Sequence, residues 1–244
     1  MRWFVQNARN RLLFATRHPG YALRALVRDL TFADERFLAA ATGSTALAVR
    51  GFLNEPFNAA SFADHLRQCS GELSQLQVAT ADLYAKKVLI QYAVVRALAP
   101  RVVVETGVAN GVSSAYILLA LNRNATGSLH SIEIGDSTLL PPGRGVGWVV
   151  PEWLRNRWTL HIGDTKWKLP EVLKDVGDVD IFIHDSLHTY EHMWLEFQLA
   201  YPHLKPGSVL LADDALWNSA FAEFANTVRA CAARVIRGVG VLRK

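Results

Sequence analysis

The sequence predicts an α/β fold, a mostly parallel sheet covered by helices on both faces and preceded by a helical extension. Three observations predict it. From Arg101 onward, short strand-like runs that are apolar throughout alternate with helix-like stretches, the pattern of a parallel sheet buried on both sides. Residues 1–99 show helical periodicity and few strand-like runs. Half of the 244 residues are apolar and a fifth are charged, enough for one large core. The chain therefore divides into a helical extension, 1–99, and an α/β domain, 100–244.

The chain opens with "MRWFVQNARNRLLFATR", a basic amphipathic stretch with Phe4, Ala8, Leu12 and Ala15 roughly on one face. Residues 1–30 hold six arginines against Asp29 alone, and the rest of the chain carries one net negative charge. Two readings of residues 1–17 stand. They lie on an acidic membrane surface, or they dock on their own domain or on a second subunit of a homo-oligomer. Asn and Arg break the apolar pieces and no small-residue cleavage site follows, so the stretch does not read as a signal peptide. No apolar run approaches the ~20 residues that span a bilayer. The near-neutral remainder argues against nucleic acid as a partner. Cys69 and Cys231 have no CxxC spacing, so a reducing, cytoplasmic setting is the expectation, membrane-associated if residues 1–17 bind lipid.

Further helices are expected over "RHPGYALRALVRDL", after Pro19-Gly20, and over "DERFLAAATG", closed by Gly43. "ATADLYAKKVLIQYAVVRALAP" has a broad apolar face at Leu83, Val88, Gln91, Val95 and Leu98, and Pro100 ends it. Then come strand "RVVVETGV", helix "NGVSSAYILLALN", strand "GSLHSIEI", strand "WTLHIGD" and helix "KLPEVLKDV". After these follow strand "DVDIFIHDSL", helix "TYEHMWLEFQLAYPHL", a turn at Lys205-Pro206-Gly207, strand "SVLLADDA" and helix "FAEFANTVRA". "ARVIRGVGVLRK" reads as two short strands around Gly238, an antiparallel pair closing the sheet.

Open parallel sheets bind ligands outside the carboxyl ends of their strands. Those ends carry Glu105-Thr106-Gly107, Glu133, Gly163-Asp164, His184-Asp185 and Asp213-Asp214. An acid stands at every tip. The loop "ETGVANGVSS" has glycines at 107 and 111, without the GxGxxG of dinucleotide sites or the Gly-Lys-Ser/Thr of a P-loop. Glu105 disfavours a pyrophosphate there and favours a cationic ligand. Glu133 stands 22 residues after Gly111, near the spacing of a ribose-binding acid. A positively charged nucleoside fits, and S-adenosylmethionine is one.

Asp185, Asp213 and Asp214 converge at one rim, and three close anions need a cation or protons to coexist. Oxygen ligands suit Mg²⁺, Mn²⁺ or Ca²⁺ rather than zinc. The structural alternative makes Asp185 a turn or cap residue and leaves one of the Asp213-Asp214 pair solvated. Of the nearby histidines, His188 is best placed as a base, being in the loop and near the metal. His184 reads as a core residue and His192 as helical.

From about Arg101 to Trp217 the chain resembles the class I S-adenosylmethionine-dependent methyltransferases: "VETGVANGVSS" resembles their first motif and "IEI" their second-strand acid. The resemblance implies a Rossmann-like seven-stranded sheet with a reversed last strand. It implies that Glu105, Gly107 and Gly111 line the methionine part of the cofactor, and that Asn110 and Ser113 of the same loop also bind the cofactor. Glu133 would hold the ribose, and Gly163-Asp164 would sit beside adenine. "DSLH…DD" resembles the metal-dependent sugar O-methyltransferases of the macrocin and mycinamicin type and their cephalosporin-hydroxylase-like relatives. That implies O-methylation of a sugar, glycoside or other small-molecule or glycan hydroxyl, with Asp185, Asp213 and Asp214 on Mg²⁺ and catalytic roles for Asp185 and for His188 as base. Asp213 stands where several relatives have Glu. A non-catalytic assembly protein of the same fold and an NAD-type oxidoreductase are the rivals; the second lacks its third glycine, since Val112-Ser113-Ser114 follow Gly111. The long segment "DSTLLPPGRGVGWVVPEWLRNR" reads either as a lid with Trp148 stacking on a sugar, or as a hairpin packed by its own tryptophans.

Overall fold

A computed structural model describes residues 32–73, 86–135, 138 and 140–244. The basic segment 1–17 and the helix expected after Gly20 lie outside them, as does the start of the helix expected from Ala79. Among the described residues four α-helices precede the sheet: α1 (Ala33–Thr42), α2 (Ala46–Asn54), α3 (Ala60–Leu73) and α4 (Lys86–Leu98). The Thr45 hydroxyl caps α2 by accepting from the Ala48 amide, and Gly43 ends α1 in the left-handed conformation.

The sheet has seven strands: β1 (Val102–Thr106), β2 (Ser128–Glu133), β3 (Trp158–Ile162), β4 (Val179–His184), β5 (Leu204–Ala212), β6 (Ala232–Ile236) and β7 (Val239–Arg243). Their order is β3-β2-β1-β4-β5-β7-β6, parallel except where β7 runs antiparallel to β5 and β6. This is the Rossmann-like sheet with a reversed last strand. Between the strands lie α5 (Val112–Asn124), α6 (Thr165–Val176), α7 (Tyr190–Ala200) and α8 (Ala220–Thr227).

Two cores follow from the alternation of side chains along each strand. On one face Val103, Ile181, Ile183, Val209 and Leu211 pack with α4, α5 and the earlier helices. On the other Val104, Phe182, Leu210 and Ala212 pack with α6, α7 and α8. The turn expected at Lys205-Pro206-Gly207 is instead the start of β5. A register shift between Val179 and Ile181 absorbs the proline, and the Gly207 amide bonds to the Lys244 carbonyl, so no turn is needed. Among the described residues no helix is long and apolar enough to cross a membrane.

The described part of the insertion after β2 packs down on the body of the protein. Its backbone bonds to the glycine loop through Gly147 to Ala109 and Val149 to Asn110. Val149, Val150 and Leu154 are buried in the first core. The Trp148 indole donates to the Asn110 side chain, and that of Trp158 to Ser131. Burial of its apolar residues holds this segment on the body as a strap.

Candidate active site

The carboxyl ends of β1, β2, β4 and β5 surround a cavity of about 630 Å³. Its wall takes Gly107 and Ser113 from the first loop, Glu133, Asp164, and Asp185, His188 and Asp214. Lys87 and Leu187, which sequence reading did not single out, also line it, as do His192 and Trp217.

The glycine loop approaches the next strand end very closely. Gly107 has φ +82°, and a Cβ there would lie 2.0 Å from the Asp185 carbonyl oxygen. Gly111 has φ +84°, and its Cβ would lie 2.7 Å from Gly147 Cα. Neither contact tolerates a side chain, so the two glycines let the strap, the loop and the β4 end touch.

Glu105 does not line the cavity. It is fully buried and accepts hydrogen bonds from Ser113, Ser114 and Ser131 at 2.7–2.8 Å. Burial pushes its carboxyl up, against the pull of those hydroxyls. It ties β1 to the start of α5 and to β2, and so shapes the loop from below. Asn110, Gly111 and Gly163 are likewise not among the residues that line the cavity. One Glu133 oxygen accepts from the Val108 and Ala109 amides at 2.7 and 2.8 Å; the other accepts from Gly135 at 3.3 Å and is the freer to meet a ligand hydroxyl. Asp164 caps α6 through the Lys166 amide and borders the same end.

At the opposite end Asp185, His188 and Asp213 bring one ligand atom each within 4.8 Å of one another. Asp214 stands apart from that trio; its carboxylate lies 3.7 Å from His188 Nε2, which is also 3.8 Å from Asp185. Of the expected trio of aspartates, Asp185 and Asp213 come together, with His188 beside them. The Lys87 ammonium, from the first turn of α4, hydrogen bonds to Asp213 and lies 3.8 Å from Asp185. Burial and the Asp213 charge push the Asp185 carboxyl well above its ordinary range. Burial acts the same way on Asp213, but bonds from Asp185 and Lys87 hold it below that range. The Lys87 ammonium offsets part of the negative charge of the pair. The two carboxylates are hard oxygen donors and fit a divalent cation such as Mg²⁺, Mn²⁺ or Ca²⁺.

His188 is lowered by burial and by the neighbouring His184, so its imidazole is neutral near pH 7 and free to accept a proton. Its ring meets the Trp217 ring at 5.3 Å, and its carbonyl accepts from Asn218. Trp217 is 70% exposed at the cavity mouth, an aromatic face beside the base. His184 is buried, as expected, with Nδ1 2.7 Å from Glu196. Glu196 also binds Thr106, Ser186 and His192, and these bonds outweigh burial and drive its carboxyl far below the ordinary range. This fully buried acid ties the ends of β1 and β4 to α7. Sequence reading missed it and Lys87; the only trace of Glu196 is one charge within the apolar run "MWLEFQLA".

Residues 104–215 match the family model of a methyltransferase domain. No curated protein matches the sequence. Solved structures of similar fold include the Podospora anserina methyltransferase PaMTH1, which was bound to S-adenosylhomocysteine. It is 13% identical over 74% of this chain and 87% of its own, with a TM-score of 0.54. Another is a TDP-rhamnose 3′-O-methyltransferase of calicheamicin biosynthesis, 17% identical over 74% of this chain and 93% of its own, with a TM-score of 0.52.

Proposed function

We propose that this chain, a class I S-adenosylmethionine-dependent methyltransferase by its domain at residues 104–215, methylates a hydroxyl oxygen, foremost that of a sugar or glycoside, with help from a divalent cation. The observation that carries this reading is the placing of His188, whose Nε2 lies 3.8 Å from Asp185 and 3.7 Å from Asp214, in the same cavity as Glu133 and Asp164. One end suits a nucleoside and the other an ionisable acceptor.

The glycine loop and Ser113 hold the sulfonium end of S-adenosylmethionine, and the free oxygen of Glu133 accepts from its ribose. The acceptor hydroxyl lies between Trp217 and His188. His188 Nε2 takes the hydroxyl proton, and the oxygen lone pair forms the bond to the methyl carbon. The carbon–sulfur bond breaks with its electrons passing to sulfur, which leaves S-adenosylhomocysteine, a methyl ether and an imidazolium that returns its proton to water. Alignment of the two partners supplies up to ~7–11 kcal/mol in well-oriented cases, and the base about 10²–10⁴-fold. A Mg²⁺ or Mn²⁺ ion held by Asp185 and Asp213 would acidify and anchor the acceptor oxygen. In that role His188 stays off the ion, because an imidazole nitrogen cannot serve as ligand and base at once.

The test is methyl transfer from labelled S-adenosylmethionine to a panel of nucleotide sugars, glycosides and catechols, with and without chelator. Replacing His188 by Ala should leave S-adenosylhomocysteine affinity intact and remove turnover. Full activity in chelator would refute the metal part, and absence of S-adenosylhomocysteine binding would refute the whole.

A further inference from the structure

Two carboxylates in contact within a largely buried rim require positive charge nearby, and α4 delivers it. Lys87 bonds to Asp213, which is only 2% exposed, and stands 3.8 Å from Asp185, while its own side chain is partly buried. The same two carboxylates belong to the one cluster of metal-type donors among the described residues. A lysine ammonium and a divalent cation cannot share those oxygens: at contact distance two like charges repel by several times the thermal energy even at the effective dielectric of a protein rim.

We propose that Lys87 is a resident counter-ion of the Asp185–Asp213 pair that a divalent cation must displace, so that the ammonium and the metal occupy the site in turn. This rests on the reading of that pair as the metal site. Lys87 holds the two strand ends together before the cation arrives, which keeps the rim formed in the metal-free protein. It also weakens cation binding by the strength of its own contacts. Its flexible four-carbon stem begins in the first turn of α4 and borders the cavity, so the freed ammonium has open volume to enter.

The experiment is Mn²⁺ binding to the full chain, followed by electron paramagnetic resonance. Lys87→Met should bind Mn²⁺ about tenfold or more tightly than wild type, and Lys87→Arg, which keeps the charge, should not. The gain should vanish in Lys87→Met with Asp213→Asn. S-adenosylhomocysteine affinity reports that each variant is folded. On wild type itself, saturating Mg²⁺ should shift the Lys87 ε-CH₂ resonance, assigned by its loss in Lys87→Arg; this needs no destabilised variant. Equal Mn²⁺ affinity in wild type and Lys87→Met, a gain that survives Asp213→Asn, or an unmoved Lys87 resonance overturns the proposal while the metal site stands. Failure of both wild type and Lys87→Met to bind Mn²⁺ removes the metal site itself, and the counter-ion exchange with it.

Discussion

Gly107→Ala gives the sharpest test of how the loop is built. A Cβ at this position would stand 2.0 Å from the Asp185 carbonyl oxygen and 2.5 Å from its carbon, where ordinary contact begins at 3.4 Å. One of the two backbones must therefore move by about 1.4 Å. Both are pinned, Gly107 to the Ile132 carbonyl and Asp185 to the Thr106 carbonyl, each at 2.9 Å. Left-handed φ costs alanine roughly 1–2 kcal/mol, and forcing atoms into a filled space a further ~1–3 kcal/mol. The total, about 2–5 kcal/mol, lowers Tm by roughly 4–20 °C in a chain of this size. Gly43→Ala is the control: its φ is +71° but nothing lies within 4 Å of the added Cβ, so only the φ term applies. Displacing Asp185 by more than an ångström should also cost turnover on the order of 10²-fold. Thermal melts and S-adenosylhomocysteine titration read both effects. If Gly107→Ala melts with Gly43→Ala and keeps wild-type affinity, the close approach of loop and strand end is wrong.

Glu196→Gln should destabilise the protein by about 3 kcal/mol at pH 7, since it leaves buried partners of a carboxylate without their charge. Because the Glu196 carboxyl is depressed in the fold, its stabilisation is present above the ordinary glutamate range and is lost as pH falls through the folded value. Urea unfolding at pH 7 and near pH 4 should thus show the deficit of the variant shrinking in acid; parallel curves would contradict this. Trp148→Phe should cost roughly 1 kcal/mol through its lost bond to Asn110 and leave acceptor KM unchanged, whereas Trp217→Ala should raise acceptor KM at constant cofactor affinity. The opposite pattern would restore the strap as a lid. Burial lowers His188, so the acid limb of kcat/KM should lie below the ordinary histidine value of about 6.5. Trp217→Ala, which opens the ring to water, should move that limb upward.

The sheet was legible because its strands are short, apolar and bounded by turn residues, and the hairpin around Gly238 needed only its glycine. The start of β5 was not, since Pro206 and Gly207 carry turn chemistry and only the register shift opposite Val179 shows how the strand absorbs them. The role of Trp148 was undecidable for a related reason: glycines and prolines mark a loop, but the burial of Val149, Val150 and Leu154 decides that it packs down. Lys87 lies 126 residues from Asp213, and no local spacing connects them.

The strand ends teach a narrower lesson. Acids at strand tips mark the rim of a sheet, yet a tip fixes where a side chain starts and leaves its direction to parity. Glu105 shares the parity of Val103, which packs on the face of α4 and α5, and so it meets the serines of α5 instead of the cavity. Asp185 continues the parity of Ile181 and Ile183, and Asp213 that of Val209 and Leu211, toward the same face. That is why a lysine of α4 meets both of them. Thr106 and His184 have the other parity, with Val104 and Phe182, and so both reach Glu196 on α7. The alternation that sorts valines between two cores also separates the charged groups: an anion pair facing α4 that meets the Lys87 ammonium, and a carboxylate–histidine cluster facing α7 that holds the strand ends beneath it.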